Sequence, residues 1–276
     1  MGPISKPPPK VILGHNGTGV TTVSVCTLAS GSKGNCIHIS TADKAILVDA
    51  GLSGREIEYR MRQRDLSPQT LQAIIVSHEH SDHIRGVGVL ARRYSVPVFM
   101  SRETACAAQS SLGRLPSCCH FEPGLPFTIP PFSIHPFNVS HDAADPVGFT
   151  IAMNGCRIGV ATDLGIATGL VEEHLKGCHL LVIEANHDLE MLINGPYPWH
   201  LKQRIKGRNG HLSNDAAEAL LRTVISSDLR YVVLGHLSET NNTSALALKS
   251  VKKAVSGHHV HVVVAEQDRC GPVIML

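Results

Sequence analysis

The chain has 276 residues, is 43% hydrophobic and carries a formal net charge of +2. It can therefore bury a full core without disulfides, and any affinity for nucleic acid must come from a local basic patch rather than from bulk charge. No run approaches the about 18 apolar residues of a membrane span, and the first residues lack the apolar segment of a secretory leader, which disfavours insertion and export.

Residues 1–21 are rich in Pro and Gly and lack periodicity, so they are expected to form a flexible extension ahead of one domain over 22–276. The Gly/Ser turn Ser30 to Asn35 joins strands expected at 23–28 and 36–40, a hairpin, and a third strand follows at 44–48. Ile57 and Met61, four apart among charges, mark a surface helix over 54–64. A strand at 73–77 runs into a histidine cluster; helix, extended chain and helix follow at 86–94, 97–101 and 102–112. Strands at 133–139, 148–154 and 156–162 imply a second sheet, with turns at Asp145-Pro146 and Asn154-Gly155. Beyond Gly169 the reading is helix to 176, strand 179–184, irregular chain to 210, helix 214–226, strand 230–235, helix 243–255 and closing strands. Strands first, then alternating strand and helix, twice over, predict an α/β fold of two facing sheets with helices outside, an αββα sandwich.

Eight cysteines contain no C-x-x-C pair, so buried reduced thiols in a cytoplasmic protein are expected. Seventeen histidines are more than structure usually demands. Six residues, His78-Glu79-His80-Ser81-Asp82-His83, offer three imidazoles and a carboxylate just past a buried strand. A metal needs deprotonated N or O donors at about 2 to 2.2 Å, and a loop anchored by a strand supplies them with little entropy loss. The alternative is a polar surface turn.

This run resembles the H-x-H-x-D-H motif of the metallo-β-lactamase superfamily. The resemblance implies that Asp49, at a strand end, hydrogen-bonds the metal loop rather than binding metal. It further implies that His78, His80 and His141 hold one metal, that Asp82, His83 and His236 hold the other, and that Asp163 bridges them. Two such ions, whether Zn, Mn or Fe, activate water for hydrolysis. The carboxylate bridge points away from true lactamases, toward phosphodiesterases, nucleases and thioester hydrolases.

Glu184 and His211 match positions that the transfer-RNA 3′-processing ribonuclease branch uses for proton donation, a role typically worth about 10² to 10⁴ in rate. Catalysis would then fall on Asp82, His211 and Glu184. Glu184 equally suits a structural hydrogen bond and His211 the start of a helix, where Ser213 and Asn214 compete to cap. Longer strings, Leu28 to Asn35, Glu184 to Leu192, Gly210 to Asn214 and Leu237 to Asn242, resemble the YycJ/WalJ-like exonuclease branch of the superfamily. That resemblance implies cytoplasmic, metal-dependent digestion of DNA, 5′ to 3′, with RNA as substrate, or a lactamase-like or thioesterase activity, as alternatives.

Lys202, Arg204, Lys206 and Arg208 alternate before His211, and Tyr197 and Trp199 precede them. Cations for phosphates and aromatics for bases are what a single-strand path requires, although solvated loops often look the same. Lys33, Lys202, Arg204 and Ser213 are the candidate substrate contacts. His258, His259 and His261 are expected on an exposed strand face, and Cys118-Cys119-His120 lacks ligand spacing. His187 has no role that the sequence assigns.

Overall fold

The computed structural model describes residues 22–276, so the extension expected over 1–21 lies outside the described residues. The first half runs β1 (Ser24–Ala29), β2 (Cys36–Ser40), β3 (Ala45–Val48), α1 (Gly54–Gln63), β4 (Leu71–Ile75), α2 (Ser81–Ile84), α3 (Val87–Tyr94), β5 (Val98–Met100), α4 (Arg102–Leu112) and β6 (Cys118–His120). The second runs β7 (Phe127–Ile129), β8 (Phe132–Asn138), β9 (Val147–Met153), β10 (Cys156–Ala161), α5 (Gly169–Leu175), β11 (Leu180–Glu184), α6 (Leu189–Asn194), α7 (Trp199–Ile205), α8 (Asn214–Val224), β12 (Tyr231–Gly235), α9 (Ser244–Val255), β13 (His261–Val264) and β14 (Ile274–Met275). Two seven-stranded sheets result, in the orders β14-β1-β2-β3-β4-β5-β6 and β13-β12-β11-β10-β9-β8-β7. Neighbours joined by short turns, such as β1 and β2 or β9 and β10, pair antiparallel. Those joined through helices, such as β4 and β5 or β11 and β12, pair parallel.

The αββα layering follows from the pleat. Ile37 and Ile39 of β2 enter the core between the sheets with Phe149, Ile151 and Val182. Cys36, on the other pleat, packs with Leu47, Ile57, Met61 and Leu90 beneath α1 and α3. In the second sheet Leu181, Ile183, Val232 and Leu234 pack against Leu220 and Val251 of α8 and α9. Strands β11 and β12 are buried throughout, which is why, apart from the closing Glu184 of β11, they read as apolar runs.

Residues 185–210, expected to be irregular, contain α6 and α7. Helix α6 starts on Asp188, whose Oδ1 accepts from the Met191 amide, and the seven-residue α7 offers only the pair Leu201 and Ile205, half-buried at i and i+4, too short a face to stand out in the sequence. The three-residue strands β6 and β7 and the one-turn α2 are too short for any pattern. His258 and His259 precede β13 and, like His261, are exposed. All eight cysteines are unpaired; Cys26, Cys36, Cys178 and Cys270 are buried, whereas Cys106 and Cys118 are exposed, against the expectation of burial. Among the described residues no helix is long and apolar enough to cross a membrane.

His38 of β2 is buried and neither ring nitrogen hydrogen-bonds. Burial pushes its pKa from 6.5 down to about 4. The unfolded chain therefore binds this proton at higher pH than the folded one, so stability is lost as pH falls from 6.5 toward 4, by about 2 kcal/mol at pH 5. His38→Leu should remove that contribution. Denaturant melts of both proteins at pH 7 and pH 5 test this, and equal losses in the two would refute it.

Candidate metal centre

The C-terminal ends of the parallel strands meet at one rim. Asp49 follows β3, Ser77 and His78 follow β4, Asp163 follows β10, Glu184 closes β11 and His236 follows β12, while His141 lies between β8 and β9. Asp49, Asp163 and His236 have φ of 59°, 57° and 54°. This left-handed conformation costs a non-glycine residue about 1–3 kcal/mol, and it takes each side chain out of the strand's alternation. Gly51 permits the close approach of this rim to α2, since a Cβ there would stand 1.5 Å from the Asp82 carbonyl oxygen.

Two groups of donors converge here and share Asp163. In the first, His80 Nδ1 lies 3.1 Å from His78 Nε2 and 3.3 Å from His141 Nε2. In the second, Asp82 Oδ2 lies 3.5 Å from His83 Nε2 and 3.8 Å from His236 Nε2. Asp163 Oδ1 is 3.9 Å from His141 Nε2, and Oδ2 is 3.1 Å from His83 Nε2. Donors bonded to one tetrahedral ion stand about 3.4 Å apart, given bonds of about 2.1 Å; the first group meets that spacing, whereas in the second only the Asp82 distances come near it and the His83 and His236 ring centroids stand 6.2 Å apart. Asp163 Oδ2 is moreover buried with no hydrogen bond, a deficit that a cation would satisfy.

A ring of polar contacts orients these donors. Asp49 Oδ1 accepts from the Ser77 amide, and Oδ2 accepts from Ser77 Oγ and His83 Nδ1, all at 2.8 Å. That leaves His83 Nε2 facing the centre. His141 Nδ1 donates to Gly210 O at 3.2 Å. The His236 amide donates to Ser30 Oγ, and Asn186 Nδ2 donates to the His236 carbonyl, both at 2.8 Å. The Asn35 amide donates to Asp82 O at 2.7 Å and its Nδ2 to Asp82 Oδ2 at 3.2 Å. Glu79 Oε1 accepts from the Ala144 amide at 2.8 Å, tying the histidine run to the loop that carries His141.

Sequence reasoning assigned no role to Ser30, Asn35, Ser77 or Asn186. Ser30 and His236 are 206 residues apart, so no local spacing could have paired them. Replacing Asp49 by asparagine should weaken metal binding about 10–100-fold by freeing the His83 ring. Competition with a chromogenic chelator measures this, and unchanged affinity would count against the orienting role.

Electrostatics divides the imidazoles. Burial pushes His78 well down and lowers His141, which keeps both neutral and able to donate a lone pair. For Asp163, burial favours the protonated acid, but His236 and His83 outweigh it and hold the carboxyl well below its ordinary value. Burial likewise opposes charge on His236, yet Asp163 and Glu184 push it up to about 10.

Glu184 is fully buried. Its Oε2 accepts from the Leu164 amide at 2.9 Å and the Leu212 amide at 3.1 Å, while Oε1 accepts from His211 Nδ1 at 2.8 Å. Burial would raise this carboxyl, but His211 and His236 hold it at about 2. His211 itself is raised, because Glu184 beside it overcomes burial. Glu184 thus ties two loops together and orients an imidazole at the same time.

The candidate substrate contacts separate. Lys33 Nζ bonds both carboxylate oxygens of Glu239, at 2.7 and 2.8 Å, and Arg204 Nη2 lies 2.6 Å from Asp142 Oδ2. Lys202 Nζ donates to the carbonyls of Ile193 and Gly195. Ser213 Oγ caps α8 by accepting from the Ala216 amide, which decides the capping competition; Asn214 instead pairs with Asn242. Because 199–205 is helical, Lys202 and Arg204 point to different sides rather than forming one strip. His187 is buried with both ring nitrogens unpartnered, and its carbonyl accepts from the Asn214 amide.

Residues 44–236 match the beta-lactamase superfamily domain. The chain is 39% identical to the exodeoxyribonuclease YycJ of Bacillus anthracis over 230 residues, 83% of this chain and 87% of that one. It is 42% identical to the exodeoxyribonuclease WalJ of Streptococcus pneumoniae over 225 residues, 80% and 83% of the two chains. Among solved structures, the metallo-β-lactamase fold protein YhfI of Bacillus subtilis superposes with a TM-score of 0.71 at 16% identity, covering 93% of this chain and all of that one. The short form of human tRNase Z superposes at 0.61 and 17% identity, covering 90% and 98%. With donors from both sheets meeting at the strand ends and kinship along four-fifths of its length, the chain belongs to the metallo-β-lactamase superfamily, in the branch that holds YycJ and WalJ.

Proposed function

We propose that the chain is a phosphodiesterase dependent on two divalent ions and that its substrate is DNA, digested as an exonuclease from the 5′ end. The pairing of Glu184 with His211 beside the metal donors carries this reading. His211 Nδ1 is 3.7 Å from Asp163 Oδ1, and its side chain is 23% exposed, so the ring borders both the centre and the opening. A deoxyribose alkoxide leaves poorly without a proton, and a histidine kept charged by Glu184 can give one. A thiolate leaves unaided, so a thioester would make no use of the pair.

His78, His80 and His141 on one side, and Asp82, His83 and His236 on the other, would hold zinc, manganese or iron, with Asp163 between. When bound, such ions activate water and neutralise developing charge. Relatives named as exodeoxyribonucleases support DNA ahead of RNA. Eight unpaired cysteines agree with a cytoplasmic setting. Lys33 and Arg204 would meet phosphates only by exchanging Glu239 and Asp142 for them.

The test uses metal-quantified protein with end-labelled DNA and RNA, bearing 5′-phosphate or 5′-hydroxyl, beside a nitrocefin-type lactam. Stepwise shortening of DNA from its 5′ end is expected. Fast lactam turnover with intact strands would overturn the proposal.

A further inference from the structure

Helix α7 is an unusual surface element. It contains Trp199, Leu201 and Ile205, yet none of its residues is buried, and Trp199 is 63% exposed. Besides the half-buried Leu201 and Ile205, polar ties hold it: Lys202 to the carbonyls of Ile193 and Gly195, and Arg204 to Asp142. An exposed indole on a helix whose Leu201 and Ile205 are only half-buried contributes little to the fold, which leaves its surface to a partner.

The helix borders the centre. Arg204 grips the residue next to His141, the His211 amide donates to the Ile205 carbonyl at 2.8 Å, and a Cβ at Gly165, two residues past Asp163, would stand 2.2 Å from the Arg208 carbonyl oxygen. Trp199 lies five residues before Arg204, about 7.5 Å along the axis. The charge of the segment is mostly positive: residues 189–210 hold four cations, Lys202, Arg204, Lys206 and Arg208, and one acid, Glu190, with Arg204 paired to Asp142. Lys206 Nζ stands 5.3 Å from the Trp199 ring centroid. Among the described residues neither Lys206 nor Arg208 has a carboxylate partner.

We propose that Trp199 is a stacking platform for a nucleobase of the single DNA strand whose phosphate occupies the metal centre, with Lys206 and Arg208 facing the neighbouring phosphates. The inference rests on the phosphodiesterase reading and adds to it a subsite that selects unpaired bases. An aromatic face beside cations is the arrangement single-strand binding requires, because every base offers a π-face and every linkage a charge.

Trp199 is the one tryptophan in the chain, so intrinsic fluorescence reports this residue alone. The full-length, metal-loaded protein is titrated with a hydrolysis-resistant phosphorothioate oligothymidylate, with a strand of equal length made of abasic sites, and with the uridine oligomer. The DNA oligomer should quench the emission and the abasic strand should not. Trp199→Ala should raise KM for single-stranded DNA about 5- to 150-fold, the equivalent of one lost stack, and Trp199→Phe should recover most of it. Unchanged emission at saturation, equal quenching by the abasic strand, quenching by the RNA oligomer alone, or an unaltered KM in Trp199→Ala would each overturn the proposal. DNA digestion that persists with any of these results removes only the subsite, whereas a protein that neither digests nor binds DNA removes the phosphodiesterase reading as well.

Discussion

Asp163→Asn is expected to strip the centre of metal and to abolish hydrolysis. Its carboxylate approaches both donor sets, with Oδ1 3.9 Å from His141 Nε2 and Oδ2 3.1 Å from His83 Nε2. The amide would keep the shape but lose the charge that holds two like cations together, and its NH₂ would be buried against nitrogen donors. Burial without a partner costs about 1–3 kcal/mol, and more beside charge. The loss should exceed the about 10–100-fold that follows removal of an outer hydrogen-bond partner. Elemental analysis after desalting should show metal content falling below that of the parent protein, with DNA digestion gone. Because an ion that binds only the folded chain stabilises it by mass action, chelation should lower the melting temperature of the parent but hardly that of the variant. A fully loaded, active Asp163→Asn protein would show that the bridge is not needed.

The run from His78 to His83 could be read directly because its donors are adjacent and a buried strand delivers them to a single turn. The layering was equally legible from the order of strands and helices, and residues 180–183 and 231–235 form the apolar runs that suit strands buried on both faces. What could not be read is geometry that depends on distant chain. Asp163 and His236 reach the rim from a left-handed backbone, which no residue type at those positions announces. Ser30 and Asn35 look like turn residues in a hairpin, and become supports of the centre only when the two halves close. Lys202 and Arg204 appear as one basic strip when the segment is taken as extended. Once it is helical, one side chain folds back on the carbonyls of Ile193 and Gly195 while the other reaches across to Asp142.

His211→Ala is expected to slow DNA hydrolysis about 10²- to 10⁴-fold at an unchanged metal content, the range for loss of a positioned proton donor. The structure brings Asp163, Glu184, His211 and His236 close enough to share one ion, so metal content separates a proton donor from a ligand. A donor's variant keeps both ions, whereas a ligand's variant loses one. Glu184 provides a second, independent reading of the same role. Burial opposes the charge on His211, and Glu184 is what overcomes it; Glu184→Gln removes the opposing anion, so the His211 pKa falls. A general acid acts only while protonated, and the rate declines as pH rises through its pKa, so the alkaline limb of the kcat profile should move toward lower pH in Glu184→Gln. The leaving group supplies the final control. A p-nitrophenolate departs without a proton, so the loss in His211→Ala should be smaller on bis(p-nitrophenyl) phosphate than on DNA. Equal losses on the two substrates, with an unmoved pH profile in Glu184→Gln, would return both residues to a purely structural part.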